Sequence, residues 1–292
     1  MQNIISRVRQ INRIRLHKRR SKRFKPSKTA SGFMLACYGR STILTDAWEP
    51  GTRKIVTELM SNIKLFVNVG ANVGYYSCLA GKAGVKTIAF EPEMTNFQFL
   101  CNNVMINGFE DNVEIFPVAA GDPPPNLMKI HGVGDTASLS EEFKSVRRNV
   151  TKRRNGLHFV DTLGGIHSAL SSFISVVSLD DIILKHKWLS ENVLFLIDVE
   201  GWEHQVLKGA EGLLALDPKP FWIIEVLPDI LAKRTEPTQV FSMMFKSGYR
   251  GYKILDEGDP VEFTETQVSS LMSENSYWNY LFIDETLSLS DI

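Results

Sequence analysis

Three groups of residues have the types and spacing for chemistry. Gly70-Ala71-Asn72-Val73-Gly74 follows the apolar run Leu65–Val69, and Glu91-Pro92 comes 21 residues after Gly70. Asp198, Glu200, His204 and Glu225 lie at or just beyond two further apolar runs, 193–199 and 220–226. A glycine-bearing turn after a buried strand lets the main chain approach a ligand. A carboxylate about 20 residues on is placed to accept hydrogen bonds from ribose hydroxyls. Acids two apart at a strand end face the same way, and a histidine one helical turn later titrates near neutrality, so together they suit removal of a proton from a hydroxyl.

The turn itself narrows the ligand. A dinucleotide loop needs small residues at 70, 72 and 75, where this chain has Gly70, Asn72 and Tyr75, and Asn72 would crowd a pyrophosphate. A phosphate-binding P-loop is also missing, because Gly81-Lys82 is followed by Ala83 and not by a hydroxyl. Asn72 suits a positive φ, Gly70 a close approach to the ligand, and Gly74 a helix starting close against the sheet. The turn therefore reads as a nucleoside site without phosphates, and S-adenosylmethionine is a ligand of that kind. Asn68 either reaches the amino-acid part of this ligand or is a hydrogen-bonded strand residue. Val118-Ala119 either offers its backbone to the adenine or is plain strand packing. On the other side, Glu200 as a helix cap, Asp198 as a brace for the turn at Gly201, and His204 as a solvated helix residue are the alternatives to catalytic roles. Asp180 and Asp181 read as acids of a helix start. His131, His158 and His167 have no metal-ligand spacing, so no metal is expected.

These residues need a scaffold, and the pattern supplies one. The continuous apolar run at 65–69 reads as a strand covered on both faces, 193–199 as another buried strand, and 86–90, 113–118 and 220–226 as further strands. Between them, 73–83 reads as a helix, and Phe97, Leu100, Cys101 and Val104 mark the core face of another, ended by Asn107-Gly108. Val206, Leu207, Ala210, Leu213 and Leu214 mark a third helical face, and a helix at 240–246 and strands at 252–255 and 280–283 close the chain. Strands alternating with helices imply an α/β, doubly wound, Rossmann-like sheet. Residues 122–175 break the rhythm and read as an insertion of loops and short strands between the third and fourth core strands.

The formal charge of zero hides an asymmetry. Eleven of 33 basic residues lie between Arg7 and Lys28, and the first acid is Asp46, so the remainder carries 22 basic against 33 acidic residues, a net of −11. Residues 1–30 are an arm and 31–292 a single domain. Ile4, Val8 and Ile11 recur at helical spacing in the arm, which suits a peripheral contact with an anionic membrane or nucleic acid; a solvated tail, or one folded back on the acidic body, is the alternative. Three cysteines without paired spacing, no apolar run of the ~18 residues a bilayer span needs, and no signal-peptide core point to a cytoplasmic protein, in reach of a membrane surface through the arm.

Five blocks in order, "FVNVGANVGYYS", "IAFEPEMTNFQFLCNN", "NVEIFPVAAGD", "VVSLDDII" and "LFLIDVEGWEHQVLKGAEGLL" followed by "IIEV", resemble the FkbM-type methyltransferases over roughly residues 60 to 230. The resemblance implies a class I methyltransferase fold, S-adenosylmethionine as donor, and O-methylation of a sugar, glycan or small metabolite. It assigns Asn68, Gly70, Asn72, Gly74 and Glu91 to the donor. Asn68 stands where the family often has Asp, Leu196 where a lysine commonly precedes the "IDVEG" block, and Trp202 where a small residue is usual. Two other readings compete: a nucleic-acid methyltransferase anchored by the arm, and a donor-binding scaffold without catalysis.

Overall fold

The computed structural model describes residues 25–37, 41–123, 128–131, 138–140, 171–189, 192–226, 237–273 and 278–292. Most of the arm, with Ile4, Val8 and Ile11, and most of the insertion, with His158 and His167, lie outside the described residues.

The five apolar runs form five parallel strands: β1 (Leu65–Val69), β2 (Lys86–Phe90), β3 (Val113–Phe116), β4 (Val193–Ile197) and β5 (Phe221–Val226). Three more, β6 (Tyr249–Lys253), β7 (Val261–Phe263) and β8 (Trp278–Asp284), complete an eight-stranded sheet in the order β7-β6-β8-β5-β4-β1-β2-β3. β8 enters between β5 and β6 and runs antiparallel to both. Strand order reverses between β1 and β4, which pair from Val193 beside Leu65 to Ile197 beside Val69. That pairing leaves a crevice beyond the carboxyl ends of the two strands, the usual ligand site of such sheets.

Both faces are covered, which is why the central strands are mostly apolar rather than alternating. Val67, Val69, Phe195, Ile197 and Ile224 pack on one side, and Phe66, Leu194, Leu196 and Ile223 on the other. The helices that cover them are α1 (Pro50–Leu59), α2 (Tyr75–Lys82), α3 (Met94–Asn107), α4 (Leu179–Ile183), α5 (Glu203–Lys208), α6 (Glu211–Leu214) and α7 (Pro237–Lys246). The helical face read from 206 to 214 is buried as expected, but it is broken into α5 and α6. A Cβ on Gly209 would lie 2.4 Å from the Gly121 main-chain oxygen, so the chain bends at a glycine where another segment crosses it. Asp180 does not merely begin its own helix: it accepts from the amides of Gly212 and Leu213 at 2.7 and 2.9 Å and caps α6.

The buried face of α3 differs from the apolar pattern. Leu100 and Val104 are buried, but Phe97 and Cys101 are only partly so, and Asn96, Phe99 and Asn103 are buried with the first two. Asn103 accepts from the Ala36 amide at 2.7 Å and donates to Ala36 O at 2.9 Å; Asn107, one turn on, does the same to Met34 at 2.7 Å in both directions. Two asparagines thus act as the neighbouring strand for Met34–Leu35, which pairs on its other side with Ser27–Lys28. Regular pairing therefore begins before residue 30, where the sequence drew the end of the arm.

The described parts of the insertion form a three-stranded antiparallel sheet of Met128–His131, Ser138–Ser140 and Ser171–Ile174. Ala119–Ala120 pairs in parallel with Val176–Val177, which brings the insertion to the carboxyl end of the main sheet. Among the described residues no helix is long and apolar enough to cross a membrane.

Candidate active site

A cleft of about 620 Å³, including its open mouth, lies beyond the ends of β1, β2 and β4. It is lined by Gly70, Asn72, Glu91, Val118, Ala119, Asp198 and Glu200 among the residues singled out in the sequence.

The turn after β1 has the backbone its residues suggested, for partly different reasons. Gly70, Asn72 and Gly74 have φ of 83°, 52° and 89°. A Cβ on Gly70 would sit 1.8 Å from Asp198 O, so its bareness admits the end of β4. On Gly74 a Cβ would lie 2.5 Å from Leu100 Cδ1, so this glycine lets α2 start against α3 rather than against the sheet. Gly74 does not line the cleft. Tyr75 points away from it and donates from its hydroxyl to Asp46 Oδ1 at 2.8 Å.

Glu91 is the organising acid. Its Oε2 accepts from the Asn72 amide at 2.7 Å and its Oε1 from the Glu93 amide at 2.8 Å. Asn96, from the first turn of α3, also bonds to its carboxyl. Glu93 in turn caps α3 by accepting from Thr95 and Asn96 amides at 3.0 and 2.9 Å. Burial pushes the Glu91 carboxyl up to about 8, against the pull of the two backbone amides. Phe90, whose ring stacks on Phe116 at 5.2 Å, gives this side of the cleft an apolar wall with Val118 and Ala119.

Asn68 is not part of the lining. It is buried, and its amide donates to Ser77 Oγ on α2 at 2.9 Å, because the alternation of β1 turns residue 68 to the same face as Phe66. Leu196, its partner on β4, is buried in the core on that face.

The other half of the cleft is acidic. Ile197 and Ile224 are paired across β4 and β5, so Asp198 and Glu225 follow side by side, and their carboxyls share a hydrogen bond. Burial first, then Asp198, raises Glu225 well above the usual carboxylate range. Glu225 lies behind Asp198 and does not line the cleft. Glu200 does, with φ 54°, followed by Gly201 at 99°. His204 is buried off the lining, and burial followed by Lys208 lowers its pKa.

Glu49, Glu203 and Ile130 were not singled out in the sequence, and Trp202 only as a departure from the family pattern. Glu49 begins α1 with φ 44°, accepts from the buried Tyr76 hydroxyl at 3.0 Å, and adds its charge to those around Glu225. Glu203 is fully buried, accepts from the Gly201 amide at 2.9 Å and is pushed up to about 7 by burial, with Asp198 adding a smaller push. Trp202 and Ile130 close the side nearest the insertion, with the Trp202 indole against Gly121. Spacing revealed none of these because each arrives through a contact between segments distant in sequence or through a turn.

A parallel sheet with a reversed strand beside β5, and a cleft at its switch point with a buried carboxyl just after β2, is the architecture of a class I methyltransferase fold. The chain matches the Methyltransferase FkbM domain over residues 68–251, more than half its length. It belongs to that family and is an S-adenosylmethionine-dependent methyltransferase. No curated protein sequence matches. Solved structures with partial likeness include the precorrin-6y C5,15-methyltransferase of Geobacter metallireducens, 10% identical over 79% of this chain and 89% of its own, TM-score 0.37. Others are Pyrococcus horikoshii TYW2 in complex with MeSAdo, 13% over 88% and 69%, TM-score 0.37, and the N-terminal domain of human METTL16 in complex with SAH, 9% over 80% and 68%, TM-score 0.39.

Proposed function

We propose that the protein methylates a hydroxyl group of a sugar, glycan or small metabolite. One observation carries the reading: the cleft joins a nucleoside half, with Glu91 and the wall of Phe90, Val118 and Ala119, to an acidic half with Asp198 and Glu200. The first half fits the donor. Glu91 accepts from its ribose hydroxyls, the Gly70–Asn72 backbone lies along it, and Val118 and Ala119 flank its adenine. When bound, S-adenosylmethionine supplies an electrophilic methyl group on a sulfonium.

The acidic half works on the acceptor. Asp198 holds the hydroxyl by a hydrogen bond and takes its proton as the oxygen attacks, while Glu225 keeps Asp198 oriented through the shared proton. Glu200 orients the acceptor from the opposite lip of the β4 turn. Alignment contributes most, since the carbon attacked is already activated. Carboxylates here repel phosphate-rich acceptors, which favours a neutral polyol over nucleic acid. The arm serves as a peripheral anchor on an anionic surface on this reading.

The test is a product-mass screen of neutral glycans, metabolites and lipids incubated with protein and donor. Donor-dependent gain of one methyl on a hydroxyl supports the reading. Methylation of RNA or DNA alone, or donor binding with no transfer to any acceptor, overturns it.

A further inference from the structure

Trp202 is held in the wall of the cleft by close crossings of the chain, yet its side chain makes no hydrogen bond there. It stands just before α5, and its carbonyl accepts from the Gln205 and Val206 amides at 3.0 and 3.1 Å. Glu200 and Gly201, with φ of 54° and 99°, turn the chain sharply to reach it from β4. The indole lies against Gly121, where a Cβ would sit 2.8 Å from Trp202 Nε1. Its ring also packs on the cluster of Ala119, Met128, Ile130 and Ile174. The indole Nε1 is buried and has no partner among the described residues, although a buried tryptophan ordinarily uses its N–H. No bond therefore accounts for the placement. What it delivers is a partly exposed aromatic ring in the lining of the cleft.

The neighbours of that ring identify its ligand. Val118, Ala119, Ala120, Ile130 and Trp202 line the cleft without a charge among them. The charged lining, Glu91, Asp198 and Glu200, comes from the ends of β2 and β4 and suits hydroxyls. An uncharged stretch that includes an indole suits a flat aromatic ring, since a nucleobase of any type can stack on an aromatic side chain. We propose that Trp202 is the aromatic wall of the adenine slot and stacks on the base of the donor, with Ile130 beside it. The proposal rests on the reading above that Val118 and Ala119 flank the adenine. It brings the insertion into donor binding, because Ile130 belongs to the first strand of the insertion sheet. It also gives Gly121 a purpose, which is to leave room for the indole.

The experiment is titration of the full-length protein with S-adenosylhomocysteine, which carries the adenosyl group and has no methyl to transfer. Calorimetry gives the affinity and tryptophan emission gives the contact. Binding quenches the emission of the wild-type protein, and the quench is lost in Trp202→Phe, because Trp48, Trp188, Trp222 and Trp278 do not line the cleft. Trp202→Phe keeps an aromatic face and an affinity within about threefold of wild type, whereas Trp202→Leu lowers affinity by roughly tenfold. A ring that only packs the insertion would lower the melting temperature in Trp202→Leu and leave its affinity unchanged. That result overturns the proposal, as does a quench that persists in Trp202→Phe or an equal loss of affinity in both variants. Glu91→Gln separates this proposal from the donor site itself. Weaker binding by Glu91→Gln with wild-type binding by Trp202→Leu keeps the site and removes Trp202 from it; no binding by the wild-type protein removes both.

Discussion

The Asn72 amide donates to Glu91 Oε2 at 2.7 Å, tying the turn after β1 to the end of β2. The bond holds a buried carboxyl at the edge of the cleft and fixes the left-handed residue of the turn. Two consequences are measurable.

The first concerns pH. The Glu91 carboxyl rises from an ordinary value of 4.5 to about 8 in the folded protein. The folded state thus binds the proton more tightly than the unfolded one between these values. Stability from this group is complete below about 4.5 and declines as pH rises towards about 8. Glu91→Gln flattens that decline, read as urea midpoint against pH, and lowers donor affinity in calorimetry by roughly tenfold or more through weaker bonds to the ribose.

The second concerns Gly70. An alanine there meets Asp198 O at 1.8 Å and keeps a φ of 83° that suits no side chain. Gly70→Ala destabilises by roughly 3–5 kcal/mol, in the range of severe backbone conflicts. A urea midpoint within error of wild type contradicts this account of the glycine.

Asp198 and Glu225 are separable. Asp198→Asn lowers kcat by about 10²–10⁴, the span of a lost general base, with donor affinity intact. Glu225→Gln retains a donor towards Asp198 and loses far less. Equal losses in both variants contradict the division of roles.

Glu203 is a buried acid that accepts from the Gly201 amide and is pushed up to about 7. Glu203→Gln keeps an oxygen for that amide without a charge, and it is neutral or stabilising above about pH 7 in thermal unfolding. Glu203→Ala leaves the amide without its partner and costs ~1–3 kcal/mol.

Much of this molecule was legible as a string. Leu65–Val69, Lys86–Phe90 and Phe221–Val226 were readable because strands covered on both faces are apolar at most positions rather than at alternate ones. Asn72 and Glu91 were readable because a positive φ and the end of a second strand each restrict residue type. The face of α3 was misread at Phe97 and Cys101, because buried Asn103 and half-buried Asn107 turn towards a strand some 70 residues away to hydrogen-bond it, and apolar periodicity does not register such an amide. Asn68 was read towards the ligand, but its strand face sends it to Ser77.

The sequence by itself determined the sheet, the turn and the family, since these rest on local periodicity and backbone allowance. Tertiary structure alone decided that Gly70 is bare for Asp198, that Glu225 stands behind Asp198, and that Glu49 and Glu203 join the acids. Those relations depend on strand register and chain crossings, where groups distant in sequence come within a hydrogen bond of one another, and no local pattern encodes such distances.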